Sequence, residues 1–259
     1  LPLLDFRSKT MFRTVLTVLA LCLALPAAAF EFESMSPEER DIFRAEVRDY
    51  LLENPEVLME AIAVLEERRA QEAALAEVRM LEDNREAIFN DGFSYVAGNP
   101  DGDVTIVEFL DYRCGYCKRA HPQVQELLDT DGGIRLIIKE FPILGPESEL
   151  ASRYAIATKI VAGDDAYAEI HDKLMEWSGP INAGALGRIS RGADIDHATV
   201  LEQMNSDEVS TIIAQNRDLA QRLAIQGTPS FLMEDVFVRG FVELPQMRTM
   251  VDAIRADRG

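Results

Sequence analysis

Cys114-Gly115-Tyr116-Cys117 sets two thiols one helical turn apart, on one face of a helix if a helix begins there. Such a pair can close into a disulfide and open again. The attacking species in that exchange is a thiolate, and a cysteine at a helix N-terminus faces unpaired N–H groups and the positive end of the helix dipole, which lower its pKa. Cys114 occupies that place and is the expected nucleophile; Cys117 is the expected resolving thiol. The same two residues could instead form an inert staple, hold part of a zinc site, or bind Cu(I) as a soft thiolate pair. A zinc site needs further ligands, and the sequence has no second CxxC and three histidines, His121, His171 and His197. His121 follows Cys117 by one turn and could approach the thiols. The chain has three cysteines, and Cys22, the third, lies in a segment expected to be removed, so a redox dithiol is the preferred reading.

Three further features fit around the pair. Glu108 lies six residues before Cys114 on an apolar strand, where a buried carboxylate could accept or relay the proton of the resolving thiol; the plainer reading is a solvated strand residue. Thr228-Pro229 precedes a strand and is placed for a cis proline against the dithiol, or for a trans proline opening an edge strand. Pro122 falls inside the helix that follows the cysteines, where it should produce a kink. Arg113 and Lys118 flank the dithiol and could lower its pKa, although both read more simply as solvated charges.

The elements that must position these residues follow from pattern. Val104 to Leu110 is β-branched and apolar, a buried strand leading into the CxxC; a helix from about 115 to 128 and a strand from Ile134 to Phe141 complete a β-α-β unit. Residues 147–225 read as helices only, over 148–162, 166–177, 183–191, 198–204 and 208–225, with Trp177 packed among them. Strands 230–233 and 236–239 and a helix over 243–256 close the chain, and a short strand over 93–97 opens the domain. Before it, Ser36-Pro37-Glu38-Glu39 is a capping box with proline at the first helical position, and Asn54-Pro55 restarts the helix. Ile42, Val47, Leu51, Leu58, Ile62 and Leu65 recur at helical spacing, the stripe breaks over 66–72, and it resumes at Ala74 to Leu81. That stripe serves either packing on the main domain or self-association into an oligomer, and the second is preferred.

The chain has 259 residues, 47% of them hydrophobic, and a net charge of −19, which argues against nucleic-acid binding, since that requires a basic face. Residues 11–29 read as a secretory leader: Arg13, an apolar run from Thr14 to Leu25, Pro26, and Ala27-Ala28-Ala29 at the cleavage site. Residues 1–10 do not fit a leader, and Met11 is read as the true start. Cleavage would remove three cations and one acid, leaving a still more acidic mature protein in an oxidising compartment.

Phe109 to Cys117, Pro122, Lys139-Glu140-Phe141-Pro142 and Gly227-Thr228-Pro229-Ser230-Phe231, taken with the order of elements, resemble the DsbA-like branch of the thioredoxin superfamily. The resemblance covers roughly residues 93–257, and the helical segment before it looks like the oligomerisation stem of the ScsC-like subgroup. It implies an α/β thioredoxin fold with an all-helical insertion at about 146–226 in a domain over 92–259, preceded by a helical stem over 30–91, which follows the signal peptide read over 1–29 with its spurious 1–10 extension. It implies Cys114 and Cys117 as the catalytic pair, Pro229 as the cis proline, Thr228 as the residue whose backbone meets an extended substrate, and Glu108 as the buried acid beneath. It implies no cofactor, a periplasmic location, cysteine-containing exported proteins as substrates, a membrane redox partner and a homo-oligomer through residues 36–90. Gly115-Tyr116 replaces the Pro-His of the most oxidising members, and with threonine before the proline it resembles the periplasmic disulfide isomerases. The link of the ScsC-like subgroup to copper tolerance supports a Cu(I)-binding alternative through the same thiols.

Overall fold

The structure, a computed structural model, describes residues 35–193 and 195–258. The expected leader and Cys22 lie outside the described residues. Contacts divide the chain into two units, one ending at Arg69 and one running from Ala70, so the division falls inside the segment 30–91.

The first unit holds α1 (Pro37–Glu53) and the beginning of α2 (Glu56–Phe89). Ser36 caps α1 reciprocally: its hydroxyl accepts the Glu39 N–H at 3.2 Å, and the Glu39 carboxylate accepts the Ser36 N–H at 2.9 Å. Asn54 ends α1, its N–H donating to the Tyr50 carbonyl. No side chain of α1 is buried, and Ile42, Val47, Leu52, Leu58, Met59 and Ile62 are all exposed.

The second unit is a five-stranded mixed sheet with helices on both faces. Its strands are β1 (Tyr95–Gly98), β2 (Val104–Leu110), β3 (Ile134–Glu140), β4 (Ser230–Met233) and β5 (Val236–Arg239), in the order β1-β3-β2-β4-β5. β2 and β3 run parallel and the other neighbours antiparallel. The helices are the end of α2, α3 (Gly115–Asp131), α4 (Pro146–Glu176), α5 (Ala183–Ile189), α6 (His197–Gln203), α7 (Asp207–Arg222) and α8 (Leu244–Asp257). The β-α-β unit, the all-helical insert and the β-β-α ending form the α/β thioredoxin fold expected from the sequence, with helices before it.

Parallel strands covered on both faces are mostly apolar on both, and β2 and β3 are, apart from the buried charges of Glu108, Lys139 and Glu140. Alternation along β2 sends Val104, Ile106 and Leu110 into a core shared with Cys117, Ala120, Val124 and Leu127 of α3. Val107 and Phe109 enter the opposite core with Ile88, Leu219 and Leu223. Glu108 therefore lies on the α3 side of the sheet. β1 begins at Tyr95 rather than Phe93, because the Asp91 carboxylate accepts the N–H groups of Phe93 and Ser94 and folds them into a turn. Gly163, at φ 87°, breaks α4 at the expected place.

Candidate active site

Three residues carry the chain from the end of β2 to the dithiol. Asp111, fully buried, organises them. Its Oδ1 accepts the Arg113 N–H at 2.7 Å, and its Oδ2 accepts those of Ile143 and Leu144 at 2.8 and 3.0 Å, so the loops after β2 and β3 share one carboxylate. The Asp111 carbonyl accepts the Cys114 N–H at 3.0 Å. Cys114 then stands as the N-cap of α3, and its carbonyl accepts the Lys118 N–H that begins the helical ladder.

Both cysteines are free thiols. Cys114 is 7% exposed and Cys117 fully buried, whereas Tyr116 between them is 61% exposed, with its ring 6.3 Å from that of Phe241. The Cys114 thiol donates to the Thr228 carbonyl across 3.1 Å. Ionised, the same sulfur receives the Cys117 thiol first, then Thr228 and the N–H groups of Cys117 and Tyr116, and these donors outweigh burial to bring its pKa from 9.0 to about 5. Cys117 is pushed well up by its bond to Cys114, by burial and by the nearby Glu108 charge. One thiol is thus ionised at neutral pH and the other held as a proton donor to it.

Glu108 is 3% exposed, which removes the solvated-strand alternative. Burial, then the charges of Cys114 and Glu140, raise its pKa from 4.5 to about 8. The Thr228–Pro229 peptide is cis, and the turn holding it is fixed by Ser230 Oγ donating to the Gly227 carbonyl at 2.8 Å and by the Gly240 N–H donating to the Pro229 carbonyl at 3.0 Å. Beside it lies a groove of about 530 Å³ lined by Gln226, Gly227, Thr228, Pro229 and Arg239. Cys114 is thereby hydrogen-bonded to Cys117 and Thr228, with Pro229 following Thr228 directly, and Glu108 acts on the pair through its charge.

The flanking charges behave differently from a solvated pair. Lys118 donates to the carbonyls of Leu174, Met175 and Trp177 at 2.7, 2.9 and 2.8 Å, capping the C-terminal end of α4. Burial and the charge of Arg113 lower its pKa to about 8. Arg113 donates to the Gly179 carbonyl and pairs with Glu147 at 3.1 Å. His121 pairs with Asp172 at 3.1 Å rather than with a thiol. Trp177 packs in the helical insert as expected, its indole N–H donating to the Pro180 carbonyl.

Two buried groups had no assigned role in the sequence. Glu140 collects the hydroxyls of Tyr112, Tyr167 and Ser152 at 2.7, 2.6 and 2.7 Å, and burial, working against these donors, brings its pKa to about 7. Lys139 is fully buried, with Asp91 Oδ2 at 2.5 Å and the Ala87 carbonyl at 2.9 Å. The sequence marks both only as part of the Lys139-Glu140-Phe141-Pro142 motif, a charged pair at the end of an apolar strand.

Residues 105–252 match the profile of the DSBA-like thioredoxin domain, and residues 39–72 that of the copper resistance protein ScsC N-terminal domain. A thioredoxin-like oxidoreductase from Silicibacter pomeroyi is 44% identical, with a TM-score of 0.63 over 67% of this chain and 98% of that one. ScsC of Proteus mirabilis in a compact conformation is 27% identical, with a TM-score of 0.62 over 84% of this chain and 98% of its own. Disulfide bond formation protein D of Bacillus subtilis is 26% identical over 172 residues, covering 61% of this chain and 75% of that protein. The Na(+)/H(+) antiporter NhaA 3 of Salinispora tropica is 29% identical over 141 residues, 54% of this chain, and the chain spans 21% of the antiporter's length. Among the described residues no helix is long and apolar enough to cross a membrane.

Proposed function

The chain belongs to the DSBA-like thioredoxin family of thiol:disulfide oxidoreductases, and within it we propose that this protein rearranges or forms disulfides in exported proteins, isomerisation being favoured over simple oxidation. The observation that carries the reading is the division of labour between the cysteines: Cys114, with a pKa of about 5, is a thiolate at neutral pH, while buried Cys117 keeps its proton. As isomerase, the Cys114 thiolate attacks one sulfur of a mispaired disulfide, forms a mixed disulfide and expels the other sulfur as a substrate thiolate. A second substrate thiolate then attacks the mixed disulfide, makes the new pairing and releases the Cys114 thiolate. If none does, Cys117 attacks Cys114, its proton passing to the ionised fraction of Glu108, and the substrate leaves with both sulfurs reduced. As oxidase, the Cys114–Cys117 disulfide runs that last exchange in reverse and accepts the electrons of a substrate dithiol.

Thr228 supports a place for an extended substrate, because its carbonyl is within 3.1 Å of the attacking sulfur and a groove opens beside it. The apolar side chains exposed on residues 42–65, including a groove of about 380 Å³ framed by Phe43, Val47, Leu51 and Leu58, support self-association through the stem. An assembly of that kind gathers several dithiols, which suits repeated rearrangement of one substrate. The expected setting is the periplasm, with a membrane partner to reset the dithiol. Refolding of scrambled ribonuclease, run beside a redox titration, tests the reading: the reduced protein should restore ribonuclease activity, and failure to do so removes isomerisation and leaves oxidation or reduction to the measured potential.

A second reading, Cu(I) handling through the Cys114 and Cys117 sulfurs, is favoured by the profile that residues 39–72 match. Titration of Cu(I) into the reduced protein decides it, since binding no tighter than to a Cys114→Ser chain eliminates the thiol site.

A further inference from the structure

His121, on α3 one turn beyond Cys117, meets His171 and Asp172 on the second half of α4. One ligand atom from each lies within 4.8 Å of the other two. His121 Nε2 and Asp172 Oδ1 are 3.1 Å apart, and the two imidazole rings meet edge to face with centroids 5.1 Å apart. His171 is buried, His121 partly buried and Asp172 exposed, so the cluster runs from the core to the surface.

The hydrogen bonds behind His171 determine which of its nitrogens is free. The Tyr112 hydroxyl has one hydrogen and gives it to Glu140 Oε1 at 2.7 Å. With Glu140 ionised, the hydroxyl accepts at its 2.9 Å contact with His171 Nδ1, which places the proton on Nδ1 and leaves the lone pair on Nε2. Metal-binding histidines are held in this way, one ring nitrogen donating to a hydrogen-bonded partner and the other open to the ion. The Glu140 carboxylate is in turn fixed by Tyr167 and Ser152, and the Tyr167 ring stacks on His171 at 12° between planes. The imidazole thus has a packed orientation, with Nδ1 engaged by Tyr112.

We propose that His121, His171 and Asp172 form a binding site for a first-row divalent metal ion, Zn²⁺ being the best fit, with water completing the coordination. Two imidazoles and a carboxylate are a borderline-soft donor set that suits Zn²⁺ and its neighbours rather than Cu(I), so the site is chemically distinct from the thiol pair. In a tetrahedral site with bonds of about 2.0–2.1 Å, neighbouring donors are about 3.4 Å apart. The 3.1 Å between His121 Nε2 and Asp172 Oδ1 is near that edge, and the ion replaces the proton the two share. The Asp172 side chain, 51% exposed, has room to swing and close the remaining gap toward His171. Loaded, the ion would tie the redox helix α3 to α4.

The test uses the full chain with Cys114→Ser and Cys117→Ser, which removes thiol competition at the dithiol. Zn²⁺ titrated calorimetrically should bind one ion per chain, and Co²⁺ in its place should give the visible bands of a low-coordination nitrogen–oxygen site. Adding Asp172→Asn or, separately, His121→Gln should weaken Zn²⁺ at least tenfold, both at side chains whose replacement is nearly isosteric. Absence of binding, or binding equally tight in the two added variants, overturns the site and leaves the cluster a hydrogen-bonded tie between α3 and α4.

Discussion

Replacing Glu108 by glutamine should stabilise the reduced protein at neutral pH. The carboxyl is buried with a pKa of about 8, against 4.5 when solvated. A raised acid pKa means the folded state prefers the protonated form. Its contribution is fully present below about pH 4.5 and is lost progressively as the pH rises through 8. Integrated over that window, the loss is about 3 kcal/mol at pH 7 and approaches about 5 kcal/mol well above pH 8. Glutamine keeps the shape and cannot ionise, so Glu108→Gln should unfold at higher urea than the parent by about 3 kcal/mol at pH 7 and by nearly nothing at pH 4. Because the charge of Cys114 is the second cause of the shift, the gain should shrink when the dithiol is oxidised. Urea unfolding of both redox states at the two pH values reads all of this. A gain of equal size at pH 4 and pH 7, or a loss at pH 7, would refute the burial argument. The same substitution should slow release of the mixed disulfide by Cys117 on the order of 10²-fold if Glu108 takes its proton; an unchanged rate would assign that proton to water.

Absorbance of the thiolate should titrate near pH 5 in the reduced protein and vanish with Cys114→Ser, whereas a midpoint near 9 would mean that Cys117, Thr228 and the helix N–H groups do not reach the sulfur. Asp91→Ala should cost about 3–5 kcal/mol in urea unfolding, because it leaves the Lys139 ammonium buried without its carboxylate; a cost below about 1 kcal/mol would mean water reaches it. Deleting residues 30–69, which leaves Ile88 and Asp91 in place, should reduce the mass per particle in solution to one chain, and an unchanged mass with and without the segment would remove the stem from self-association.

The dithiol, its nucleophile and the strands and helices around it are legible because each is local. A CxxC after an apolar strand, a proline after threonine and a capping box signal themselves within a few residues. Glu108 was legible as a candidate but not as buried, since strand alternation identifies a face and not what covers it. Lys118 shows the limit most plainly. Its three carbonyl partners are at the end of a helix more than fifty residues on, and nothing near Lys118 in sequence separates a helix cap from a solvated charge. The Glu140 hub is hidden for the same reason, its donors coming from the loop after β2 and two positions on α4. The early start assigned to β1 has a different cause: Phe93 and Ser94 have strand-like side chains, and a single aspartate side chain overrides them.

Asp111 grips the backbone on either side of the active-site opening, and neither grip involves the side chains of Gly115 or Tyr116. The backbone leading into the dithiol is therefore held independently of the two side chains between the cysteines. A Cβ at position 115 would meet open space, and the Tyr116 ring is largely exposed. The position of the nucleophilic cysteine is thus written into an aspartate outside the CxxC, three residues before it in the chain and shared with a loop some thirty residues on.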